Sequence, residues 1–161
     1  MKQSDDGTMK KPIQEKIKTG LSGVAGEYFV AAQLSRLGYV ASINLKNTRG
    51  VDLLVMNEAA MDTIMVQVKT QQGSKREWML TEKADTMQNE KLFYVFVNLN
   101  GIHGQPDYFI VPSKVVADYG LHDHTTWLNT PGKKGPHKDN SIRIFRDPEC
   151  LYKDRWDLLG L

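Results

Sequence analysis

Residues 50–73, GVDLLVMNEAAMDTIMVQVKTQQG, constrain the fold more than any other stretch of the chain. Two apolar arms, Val51 to Met56 and Thr63 to Thr70, flank the polar connection NEAAMD, which predicts a β-hairpin. Only Asp52, Gln67 and Lys69 break the apolar character of the strand centres. Side chains alternate faces along a strand, so Gln67 and Lys69 share one face. If Met56 pairs with Thr63, the antiparallel register sets Asp52 opposite Gln67, with a Cβ separation of roughly 5 Å. A carboxylate, an amide and an ammonium then meet on one patch of sheet. A buried charge without a partner is costly, so the patch is either internally satisfied or a site.

Charge is nearly balanced across the 161 residues, with 21 Lys and Arg against 19 Asp and Glu. The total therefore does not mark a nucleic-acid binder, but its distribution is uneven. The hairpin from Val51 to Val68 carries only acids (Asp52, Glu58 and Asp62), whereas 133–146 holds Lys133, Lys134, Lys138, Arg143 and Arg146 against Asp139 alone. An acidic pocket flanked by basic segments suits a cation and a polyanion together. A solvated basic loop is the alternative for 133–146. Cys150 is the single cysteine, which excludes an internal disulfide and points to a reducing, cytoplasmic setting. The N-terminus lacks an apolar signal core, and no apolar run nears the roughly 20 residues of a membrane span.

The remaining pattern predicts an α/β domain over 19–161, preceded by a loosely ordered segment 1–18. A helix runs from a Ser22 cap to Gly38, with Val24, Ala31 and Leu34 on one face and Glu27 among them. Acids usually occupy the opposite, wet face of such a helix. A strand over Tyr39–Ile43 and a polar turn follow, then the hairpin. Short strands around Trp78–Leu80, at KLFYVFVNL and at DYFIVPS come next, the second of them apolar on both faces and hence internal. Ser113 caps a short helix to Tyr119, and 120–140 reads as a long irregular loop. SIRIF is an edge strand, and Trp156 with the terminal leucines docks the C-terminal turn.

The order of helix with Glu27, strand with Asp52, and strand with Gln67-Val68-Lys69 resembles the PD-(D/E)XK nuclease superfamily over about 22–72. Gln67 stands where that pattern has Glu or Asp, and the Gln-x-Lys version is similar to Mrr-like enzymes. The resemblance implies a restriction-endonuclease-like fold, a central mixed sheet flanked by helices. It implies a Mg²⁺- or Mn²⁺-dependent DNA endonuclease, with a dimer as one possible state. Glu27, Asp52, Gln67 and Lys69 would be catalytic. Asp52, Gln67, the Val68 backbone carbonyl and Glu27, the last through water, would hold metal. Lys133, Lys134, Lys138 and Arg143 would bind nucleic acid.

Other readings of the same residues stand beside this one. Asp52, Lys69 and Gln67 could form an internal polar cluster, and Glu27 could pair with Arg49 or Lys46. A nuclease fold that binds nucleic acid without cutting, or an interaction protein with no nucleic-acid role, uses the same pattern. His122 and His124 have metal-ligand spacing but no third strong ligand nearby. Trp78, Trp127 and Trp156 could stack on bases or anchor the core. Nucleotide-binding glycine loops and a serine nucleophile elbow are absent from the sequence.

Overall fold

The computed structural model describes residues 16–161 apart from 49, 60 and 134. Residues 1–15, Arg49, Lys134 and the Lys46 side chain lie outside what is described. Seven strands, three helices and a terminal 3₁₀ turn follow one another along the described chain. None of these helices is long and apolar enough to cross a membrane.

The first helix, α1 (Thr19–Arg36), begins one turn ahead of the expected Ser22 cap. Ser22 is buried inside it and donates its hydroxyl to the Thr19 carbonyl at 2.8 Å, so it serves the helix without capping it. The end follows expectation. Gly38 has φ +92°, its N–H bonds the Ser35 carbonyl, and the Tyr39 N–H reaches back to Leu34, which together make a Schellman stop. The packed line is Ser22, Gly26, Val30 and Leu34, not the expected Val24 line. Val24 is 45% exposed, because small residues at i, i+4 bring the helix backbone closer to the sheet than an apolar count suggests.

The central sheet takes the order β1-β2-β3-β5-β6, formed by β1 (Val40–Thr48), β2 (Val51–Asn57), β3 (Asp62–Gln71), β5 (Leu92–Asn98) and β6 (Asp107–Pro112). The hairpin of β2 and β3 has the predicted register, Met56 opposite Thr63 and Leu53 opposite Val66. β1 extends through most of the expected turn, with an irregularity between Ile43 and Thr48. β3 and β5 run parallel, and the other pairs in this sheet are antiparallel. The parallel step requires a crossover, supplied by β4 (Glu77–Thr81) and the single turn α2 (Lys83–Thr86). β5 is buried at every position, as its unbroken apolar run predicts.

The two faces of the sheet carry separate cores. Leu53, Val55, Ile64, Val66 and Val68 pack under Val30 and Leu34 of α1. On the other face, Tyr94 and Phe96 meet Trp78 and Phe145 from a second sheet, β4 with β7 (Ile142–Arg146). α3 (Ser113–Asn129) lies beside that sheet. It corrects the sequence expectation twice. Ser113 is buried and exchanges hydrogen bonds with the Asn89 backbone instead of capping, and the helix continues past Tyr119 to Asn129. The run GLHDHTTWLN has weak helical propensity, so packing against α2 and β7 decides its state. Asp123, in that run, accepts from Arg146 Nη1 at 2.9 and 3.0 Å. The C-terminal segment closes the free edge of β6 through a Phe109–Lys153 bridge, and Leu159 of the 3₁₀ turn (Trp156–Leu159) enters the core.

Candidate active site at the fork between two strands

Alternation along β2 and β3 separates the hairpin into two faces. Leu53, Val55, Ile64, Val66 and Val68 face α1, so Asp52, Gln67 and Lys69 belong to the opposite face. The ladder between the two strands ends at Leu53 opposite Val66. Beyond that pair β3 continues beside β5, and the strands fork. Asp52 does not complete a ladder pair with Gln67. Its carboxylate instead accepts the Val68 N–H through Oδ2 at 2.7 Å, so it lies in the plane of the fork. A residue's N–H and C=O point to the same side of a strand, which turns the Val68 carbonyl toward the fork as well. Among the described residues, Oδ1 of Asp52 has no hydrogen-bond partner.

Glu27 arrives from the α1 side. A Cβ added to Gly26 would lie 1.9 Å from Thr70 Oγ1, so α1 rests directly on the end of β3. That contact delivers the next residue, Glu27, to the fork. The Glu27 carboxyl is held above the usual carboxylate range, first by burial and then by the charge of Asp52, with Lys69 opposing. Two acids and one ammonium therefore share a single field, although the helix and the Gln67–Lys69 face lie on opposite sides of the sheet.

Gln67 and Lys69 open onto a cleft of about 500 Å³, together with Gly50, Leu80, Thr81, Lys83, Ala84, Thr86, Met87 and Tyr94. Glu27 and Asp52 border the fork without lining this cleft. Gln67 is oriented by its neighbours. With the amide orientation assigned from the chemistry of these neighbours, its carbonyl oxygen accepts from Lys69 Nζ at 3.1 Å, and its nitrogen donates to Tyr94 Oη at 3.1 Å and to the Gly50 carbonyl at 3.2 Å. Among the described residues Lys69 forms no ion pair, which removes the internal Asp52–Lys69 bridge as an explanation of the cluster. Tyr94, opposite Gln67 on β5, is 1% exposed, and burial followed by the charges of Asp52 and Asp85 pushes its hydroxyl up to about 12. The sequence offered one signal for it, the lone hydroxyl in an otherwise apolar strand.

The donor set fits a single hard divalent cation that keeps most of its water. It comprises the free Oδ1 of Asp52, the Glu27 carboxylate and the Val68 carbonyl, with two like charges whose mutual repulsion a cation relieves. The set is sparse, because no group of three or more His, Cys, Asp and Glu gathers among the described residues. The carbonyl oxygen of Gln67, expected as a ligand, is directed at Lys69.

Residues away from the fork take other places. Arg143, expected on a nucleic-acid surface, is half-buried and donates from Nε to Asp85 at 2.8 Å, while Nη1 donates to the Asn140 and Ile142 carbonyls. Lys133 and Lys138 are exposed in the loop after α3. His124 pairs with Asp139 at 2.7 Å, and Trp127 stacks between His124 and His137. Trp78 is buried against Phe96 and Phe109 and offers no free face to a base, while Trp156 is half-buried against Tyr108.

The mixed five-stranded sheet flanked by helices is an architecture shared with a solved endonuclease. A solved structure it resembles is the bacterial homing endonuclease I-Ssp6803I, with a TM-score of 0.55 over 90% of this chain and 94% of that chain. Identity is 16%, so the likeness is one of fold. No protein-family model and no curated protein sequence matches the chain.

Proposed function

We propose that the protein is a metal-dependent DNA endonuclease of the PD-(D/E)XK type in its Gln-x-Lys form. The observation that supports this most is the shared electrostatic field of Glu27, Asp52 and Lys69 about one fork, with no ion pair to Lys69 among the described residues, in a fold similar to that of a solved endonuclease. Asp52 and the Val68 carbonyl would hold one Mg²⁺ or Mn²⁺ ion, with Glu27 reaching it through water. Such a cation supplies the activation of water and the neutralisation of charge on phosphate that hydrolysis of a phosphodiester requires.

The chain's own residues supply the rest. Lys69, fixed through Nζ by Gln67 and with a side open to the cleft, donates to a phosphate oxygen as negative charge develops there. Glu27, placed at the fork by α1, would reach the metal through water and accept the proton of the attacking water on its carboxylate. Asp52, locked by the Val68 N–H, keeps its orientation without a change of rotamer. Lys133 and Lys138, exposed after α3, are free to meet the phosphate backbone. The test is cleavage of duplex, single-stranded and branched DNA with Mg²⁺ or Mn²⁺, comparing wild type with Lys69→Ala. Equal activity in the two removes the catalytic reading.

A second reading draws on the neutral Gln67 and the sparse donor set: a DNA-binding module of the same fold that does not cut. It predicts salt-sensitive binding that survives Asp52→Ala and does not respond to metal.

A further inference from the structure

Gln67 occupies a position with three fixed neighbours of different chemistry. Lys69 Nζ can only donate, the Gly50 carbonyl can only accept, and the Tyr94 hydroxyl can do either. A side-chain amide satisfies all three at once, its oxygen on the ammonium and its two N–H groups on Gly50 and Tyr94. A carboxylate has no hydrogen to give and would face the Gly50 carbonyl at 3.2 Å with nothing between. The surroundings reinforce this choice. Gly50 has φ +78°, and a Cβ there would lie 2.9 Å from Met87 Cε and 3.5 Å from the Gln67 amide. Only glycine thus brings that carbonyl to the amide without strain. Tyr94 is 1% exposed, lines the cleft and receives the Gln67 N–H. Its own hydroxyl proton has no acceptor among the described residues.

We propose that Gln67 is an amide-specific clamp, not a depleted metal ligand, and that Tyr94 is the positioning residue which, with Gly50, holds the clamp so that Lys69 points at the substrate. Gln67 therefore does not record a lost acid, because the pocket around it is built for nitrogen on one side and oxygen on the other.

The inference rests on the nuclease reading for its kinetic arm only. In metal-free wild-type protein in EDTA, the clamp predicts that the Gln67 side-chain N–H protons exchange with water more slowly than those of exposed glutamines. Tyr94→Phe removes one acceptor and speeds that exchange. In cleavage assays Tyr94→Phe loses about tenfold in kcat at unchanged KM, the scale of one hydrogen bond. Gln67→Glu loses activity without lowering the Mg²⁺ or Mn²⁺ concentration that half-saturates the enzyme. Tighter metal use with faster cleavage in Gln67→Glu overturns the clamp and makes position 67 a ligand. Gln67 amide exchange as fast as that of exposed glutamines overturns it too, whether or not the protein cuts. If wild type cuts no DNA, the nuclease reading fails, and the exchange measurement still decides the clamp.

Discussion

Gly26→Ala tests how the fold delivers Glu27 to the fork. A helix-interior Gly→Ala change alone stabilises by about 1 kcal/mol through backbone propensity. Here the new methyl carbon would sit 1.9 Å from Thr70 Oγ1, 2.9 Å from its Cβ and 3.0 Å from its Cγ2. Turning the Thr70 rotamer moves the oxygen but leaves the Cβ contact, so α1 must lift from β3. Overpacking between backbone elements costs up to about 3 kcal/mol, leaving a net loss near 2 kcal/mol. For a domain of this size that lowers Tm by about 4–8 °C. Thr70→Ala alone should be nearly neutral, because Thr70 Oγ1 is buried without a partner among the described residues, and combined with Gly26→Ala it should recover only part of the loss, since it removes the Oγ1 and Cγ2 contacts but leaves the 2.9 Å contact at Cβ. Thermal melts of the two single variants and the double variant measure this. A Gly26→Ala protein that melts at or above wild type refutes the close helix–strand contact and the placement of Glu27 derived from it.

Other consequences follow from single contacts. Asp52→Ala strips the Val68 N–H of its acceptor and should cost about 1–3 kcal/mol, whereas Asp52→Asn keeps an acceptor and should melt near wild type. Urea denaturation separates the two. Arg143→Ala leaves Asp85 buried and uncompensated and should destabilise by about 3 kcal/mol. Adding Asp85→Ala should return part of that loss, and an Arg143→Ala variant of full stability would move Arg143 back to the surface. Asp107 is held below the usual carboxylate range by its hydrogen bond to Lys153. A depressed acid contributes stability above its unfolded value of roughly 3.9 and loses it as pH falls through the folded value. Asp107→Asn should thus melt below wild type at neutral pH, with the gap closing in acid. A gap that does not change with pH would detach the C-terminal segment from this ion pair.

Much of the site was legible in the hairpin. Alternation and the length of NEAAMD predicted the hairpin register as far as Leu53 opposite Val66 and the shared face of Gln67 and Lys69, and the unbroken apolar run of β5 announced an internal strand, but the fork that takes Asp52 out of its pair with Gln67 and onto the Val68 N–H was not legible. What escaped depended on contacts between distant segments. The packed line of α1 runs through Ser22 and Gly26, which hydrophobicity ignores but close approach demands. The second half of α3 has the composition of a loop and is helical because it packs against α2 and β7. Arg143 looked like part of a basic surface, yet its charge is spent on Asp85, since the sign of a side chain says nothing of its burial. Gln67 looked like a deficiency until Gly50 and Tyr94, 17 residues before it and 27 after it, supplied the partners that an amide needs.

The central claim is that the fork cuts DNA with a divalent cation. Its most direct test is cleavage of labelled DNA during a Mn²⁺ and Mg²⁺ titration, with wild type, Asp52→Asn and Lys69→Ala prepared in parallel and each checked for folding. The account predicts metal-dependent cleavage by wild type and a loss of at least about a hundredfold in both variants, the scale of one lost electrostatic contributor in a preorganised site. Cleavage that persists equally in folded Asp52→Asn and Lys69→Ala, or that proceeds unchanged in EDTA, would contradict it.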